Sequence, residues 1–210
     1  MKRNALLVIM TLAHLFAVGQ VRTTKLTVYN SYRPAIITLA DGRTLKQPLT
    51  NVFLKNAALL YMSGNQAKEA NMKTVVSVQF DDRLYVRIDS LLAFQVDSAG
   101  ADGLYRATII DREAYEQNLK NNVVLSDLSL LNSDMVGTTT VDLNNESDYE
   151  FPLINIYYFR YKGKFVRCHD RSLSNFLPKE KRRLMRSYIR MPDFSWTDEK
   201  SLIQLLKGLQ

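Results

Sequence analysis

Between positions 34 and 110 the chain is a succession of short apolar runs separated by polar pairs. "PAIITLADGRTLKQPL" (34–49) holds two extended runs around Asp41-Gly42. An Asp-Gly pair between β-forming runs predicts a tight hairpin with both central residues at positive φ. "NVFLKNAALLYM" (51–62) predicts one or two further strands, and "SGNQ" (63–66) a turn. "AKEANMK" (67–73) has the composition of a single helical turn. "TVVSVQF" (74–80), "RLYVRI" (83–88) and "LLAFQV" (91–96) read as strands, separated by Asp81-Asp82 and Asp89-Ser90 as turn residues. Leu84, Val86 and Ile88 alternate with Arg83, Tyr85 and Arg87, the period of a half-buried strand. "DSAGADG" (97–103) reads as a loop and "LYRATII" (104–110) as a strand. "PLINIYYFRYKGKFVRC" (152–168) reads as a hairpin turning at Lys162-Gly163-Lys164. Closely spaced strands of this kind predict an antiparallel meander or small barrel.

Helical spacing appears in two places. "DREAYEQNLKNN" (111–122) sets Glu116 and Lys120 four apart. The apolar run 123–131 fits helix or strand, and 132–150 reads as a long polar connection with a strand at 138–141. Near the end, Pro178 suits the first position of a helix carrying Leu184, Met185, Tyr188 and Ile189. That helix stops at Met191-Pro192. A second helix has Thr197 as its N-cap, Asp198 and Glu199 in its first turn, and a stripe of Leu202, Leu205, Leu206 and Leu209. The expected fold class is α+β: an antiparallel β-rich body over 20–168, with a candidate sub-boundary near 111–150, followed by two C-terminal helices in 169–210.

The N-terminus changes where this fold is expected to reside. Lys2 and Arg3 precede an apolar run from Ala5 to Gly19, and Ala17-Val18-Gly19 supplies small residues before Gln20. These three parts make 1–19 a secretory signal peptide. The run is shorter than the roughly 20 apolar residues a spanning helix needs. The mature chain is therefore expected to be exported, periplasmic or at the cell surface, and not membrane-spanning after cleavage. The single cysteine, Cys168, has no partner within the chain, so disulfides do not build the fold. A buried, inert thiol is its expected role.

Charge divides the chain. Residues 20–155 hold 13 basic and 16 acidic residues, while 156–210 hold 13 basic and 5 acidic, within a total of +7. Such asymmetry points to an anionic partner or surface. "KEKRRLMRSY" concentrates it, and Lys179, Lys181, Arg182, Arg183, Arg186 and Arg190 are the candidate anion-binding residues. The competing reading is a solvated face opposite an apolar stripe. Tyr157, Tyr158, Phe159 and Tyr161 are candidate partner-binding residues if exposed, and core strand residues if not.

Catalytic signatures are few. After removal of 1–19 the only histidine is His169, adjacent to Cys168, and strand neighbours point to opposite faces. A multi-histidine or cysteine-rich zinc site is excluded. Asp142, Asn144, Glu146, Asp148 and Glu150 alternate in a polar stretch, but Ser147 and Leu153 stand where a calcium loop needs Gly and Glu. Asp81, Asp82, Asp89, Asp97 and Asp102 fall at turns, which account for them without catalysis. No Gly-rich phosphate loop, nucleophile elbow or metalloprotease helix is present, and no cofactor or metal is expected.

Taken together, "ITLADGRTL", "LKNAALLYMSGNQAKEANMKTVVSVQFDDRLYVRID", "RSLSNFLPKEKRR" and "FSWTDEKSLIQLLKGL" resemble small exported proteins of unknown function from Bacteroidota. The resemblance implies an envelope location and brings no activity. The expected function is that of a non-enzymatic envelope protein binding a protein partner or an anionic lipid or glycan. Sequence-specific nucleic-acid binding is not expected. The alternative is a carboxylate-based hydrolase of an envelope glycan, which needs two acids facing each other in a cleft.

Overall fold

The computed structural model describes residues 21–99, 102–122 and 150–210. The predicted signal peptide, the run 123–131, the strand at 138–141 and the alternating acids from 142 to 148 lie outside the described residues.

The strands are β1 (Arg22–Thr23), β2 (Arg33–Leu39), β3 (Thr44–Phe53), β4 (Ala58–Ser63), β5 (Gln66–Glu69) and β6 (Val75–Gln79). They continue as β7 (Leu84–Ile88), β8 (Leu91–Ala99), β9 (Asp102–Ile110), β10 (Phe151–Tyr161) and β11 (Lys164–Arg167). All eleven form one antiparallel sheet. Two meanders, β2–β5 and β6–β10, join where β6 pairs back onto β2. β1 and β11 both pair with β10.

Turn chemistry sets the register. Lys162 and Gly163 both take positive φ (50° and 77°), and Asp89 does so at 55°. Lys162-Gly163 is thus the mirror-image turn that matches the strand twist. The β2–β3 turn differs from expectation. Gly42 alone of its pair has positive φ, 83°, and its N–H donates to Leu39 C=O at 3.0 Å. Asp41 instead accepts from the Arg43 N–H and guanidinium, at 3.0 and 2.7 Å. The stretch 66–69 is a strand and not a helical turn, because Ala67 pairs with Met62 and fills the core. Tertiary pairing overrides its local propensity.

The sheet curls onto itself at the β3–β4 corner. Leu92 N–H donates to Ala57 C=O (2.8 Å) and Ile110 N–H to Leu54 C=O (2.7 Å), so this corner docks on β8 and β9. Residues 26–28 extend the edge of β3, with Val28 N–H on Val52 C=O at 3.0 Å. The break between this segment and β2 is mended by buried Asn51, which accepts from Tyr29 N–H (3.0 Å) and donates to Tyr29 C=O (2.9 Å). Curling brings Val52, Leu59, Val78, Phe80 and Leu92 into one apolar cluster.

The helices are α1 (Arg112–Asn122), α2 (Asp170–Phe176), α3 (Lys179–Ile189) and α4 (Glu199–Leu209). In α1, Glu116 pairs with Arg112 at 2.7 Å, on its N-terminal side. Three helices follow β11, not the two expected. The extra one, α2, is a seven-residue helix, too short for its period to show in the sequence. Leu177 then takes the extended backbone (φ −78°, ψ 146°) that a residue before proline adopts, which ends α2 and starts α3. Leu173 and Leu177 anchor this corner. The N-cap of α4 is Asp198, one residue after the expected Thr197, and it accepts from Ser201 N–H at 2.8 Å. Thr197 engages Ser195 instead. Leu202, Leu205, Leu206 and Leu209 are buried as the stripe predicts, in one cluster with Leu104 of β9 and Phe159 of β10. This cluster draws on residues from both sides of position 168.

Candidate functional site

α3 is fastened by one side. Met185 is fully buried, and Tyr188 and Ile189 pack beside it. The Tyr188 ring lies over Gly208 of α4; a Cβ there would stand 2.7 Å from its ring carbons. Leu184, expected in this apolar stripe, is instead 36% exposed. Lys181 and Arg182 fall on the packed side and are half-buried, as their spacing of four and three from Met185 requires. Lys179, Arg183, Arg186 and Arg190 are exposed. Their spacing of i, i+4, i+7 and i+11 sets them in a single row along the helix. Among the described residues, none of the four has a carboxylate within ion-pair distance. Six candidates thus divide into a free row of four and two that pack.

The aromatic candidates are not a surface. Tyr157, Tyr158, Phe159 and Tyr161 are all buried, Tyr161 the most exposed at 7%. Tyr157, Phe159 and Tyr161 point toward the helices, where Tyr161 meets Phe176 edge-on at 6.1 Å. Tyr158 points to the opposite face, beside Tyr105. Burial raises the Tyr157 phenol pKa, with the neighbouring Arg106 opposing the shift. These rings form the platform that carries the helical layer. Arg106 fastens the same layer, donating from Nη1 to Glu199 Oε2 at 2.8 Å.

Cys168 is buried, and burial lifts its thiol pKa far above the usual range. His169 is exposed at the N-cap of α2, and its side chain makes no cap bond. Among the turn acids, Asp81, Asp82 and Asp102 have structural partners, and Asp97 lies within β8, not in a loop. Asp81 and Asp82 receive Arg33 at 2.8 and 3.5 Å, Tyr29 donates to Asp82 at 2.9 Å, and Asp102 accepts from Lys162 N–H at 2.8 Å. Burial first, then Tyr85 and Asp82, push the Tyr29 pKa well up. Of three clefts in the described residues, one is lined by a single carboxylate, Asp81, and the other two by none. Among the described residues no group of three His, Cys, Asp or Glu side chains could hold a metal.

The alternation in "RLYVRI" misplaced one pair. Tyr85 is buried and Leu84 is 39% exposed, because curling encloses the face that carries Arg83 and Tyr85. That face, with Arg106 of β9, lines a cleft not foreseen from the sequence. The available signal was Arg106 itself, in register with Leu104 and Ile110, two buried positions.

No family model, no curated protein and no solved structure matches the chain.

Proposed function

We propose that the protein is a non-enzymatic binding protein of the bacterial envelope that docks α3 on an anionic membrane surface. One observation carries this reading: Lys179, Arg183, Arg186 and Arg190 form a row on the helix side away from buried Met185, and among the described residues no acid is paired to any of them. A helix held to its body by one side and lined with free cations on the other meets a flat anionic surface without rearrangement. Each such residue contributes about 1 kcal/mol near an anionic bilayer. The amino-terminal pattern and the resemblance to exported proteins support the location. Among the described residues no helix is long and apolar enough to cross a membrane, so attachment is peripheral in this reading.

The test is co-sedimentation with vesicles of anionic and of zwitterionic lipid over a range of salt. Binding to anionic vesicles alone, lost as salt screens exposed charge, supports the reading. Equal binding to both lipids, or to neither while an envelope protein is captured stoichiometrically at high salt, replaces it with a protein-partner adaptor.

A further inference from the structure

The curled sheet encloses a space that the basic helix does not touch. A cavity of about 170 Å³ lies inside it, lined by Arg83, Leu92, Phe94, Arg106 and Leu153 among others. Tyr85, Phe94 and Arg106 are direct cross-strand neighbours on β7, β8 and β9, so the register sets them in one row. The Phe94 ring has two guanidinium groups upon it, Arg83 Cζ at 5.1 Å and Arg106 Cζ at 4.7 Å from its centre. Each arginine has one acid, approaching from outside the cavity. Asp82 approaches Arg83 at 3.6 Å and Glu199 takes Arg106 Nη1 at 2.8 Å, and neither acid lines the cavity. Among the described residues, Arg106 Nε is buried without a hydrogen-bond partner. A desolvated donor of this kind is unfavourable until an acceptor reaches it.

We propose that this cavity binds a small apolar carboxylic acid. The carboxylate accepts from Arg106 with Arg83 close by, and the apolar body rests on Phe94, Leu92 and Leu153. Guanidinium favours carboxylate for its charge and planar donor geometry. Size sets the rest: an apolar cavity of about 150 Å³ accommodates benzene, so this one suits an acid of benzoate size.

The experiment is calorimetric titration of the protein with sodium benzoate, benzyl alcohol and sodium sulfate at constant ionic strength. Benzoate is expected to bind one to one, with benzyl alcohol and sulfate each at least tenfold weaker. Arg83→Gln is expected to weaken benzoate at least tenfold; this side chain is 43% exposed and its ion pair with Asp82 is long, 3.6 Å, so the fold is spared. Leu153→Phe fills the space, keeps both arginines, and is expected to abolish binding. Joint replacement of Lys179, Arg183, Arg186 and Arg190 by Gln leaves benzoate affinity unchanged, which separates this site from the basic row. Equal affinity for benzoate and benzyl alcohol, equal affinity for sulfate, indifference to Leu153→Phe, or no binding at all would overturn the proposal.

Discussion

The sheet body and the C-terminal layer use their cations in opposite ways. In the body, Arg33 bridges Asp81 and Asp82, Arg43 holds Asp41 at 2.7 Å, and Arg22 reaches Glu150 at 3.7 Å. Arg87 donates to the carbonyls of Val75 and Asp89 at 2.6 and 2.9 Å. From β10 onward, Arg160, Arg167, Arg171 and the α3 row have no carboxylate within ion-pair distance among the described residues. The C-terminal layer is held on by apolar burial, by Arg106–Glu199 and by Lys207, whose Nζ stands 4.0 Å from Asp97. The exposed row of α3 pairs with no acid among the described residues and is free for a partner.

The largest effect should come from the apolar contacts that hold the two regions together. Leu205 is fully buried between α4 and the sheet, and Leu205→Ala should cost about 2–5 kcal/mol. Because the core is shared, sheet and helix signals in urea unfolding should still move as one transition. Two separated transitions would turn the comparison into a domain boundary.

A smaller effect should come from the α4 cap. Hydrogen bonds from Ser201 N–H, then from its hydroxyl, lower the Asp198 pKa. A depressed carboxylate stabilises the fold fully above the ordinary aspartate pKa of about 3.9. That contribution is lost as pH falls through the folded value. Asp198→Ala should cost about 1 kcal/mol at neutral pH. The gap in melting temperature between wild type and variant should then close on acidification.

The smallest effects separate the two uses of charge. Asp81→Asn should cost well under about 1 kcal/mol, since Asp81 itself is 68% exposed. Replacing all four cations of the α3 row by Gln should leave stability within about 0.5 kcal/mol per site. A marked loss of stability there would mean that the row serves the fold after all.

Much of the sheet was legible because turns and alternation are local. Lys162-Gly163, Asp89 and the period of β7 announce strands before any long-range contact forms. What curling decides was not legible. Whether Arg83–Tyr85–Arg87 or Leu84–Val86–Ile88 faces inward depends on the β3–β4 corner reaching β8 and β9, contacts distant in sequence. For the same reason the four aromatics of β10 read equally as surface or core, until three helices cover one face of their strand. The α3 row was half legible. Its charge is plain in "KEKRRLMRSY", but only the position of Met185 on the packed side shows that Lys181 and Arg182 leave the row while four others remain.

The most direct test of the central claim is the affinity of wild type and the four-Gln α3 variant for anionic vesicles at low and physiological salt. At about 1 kcal/mol for each cation, the variant should bind roughly 10²- to 10³-fold more weakly at low salt. The difference should narrow as salt rises. Equal affinity of the two proteins at both salt concentrations would contradict the account.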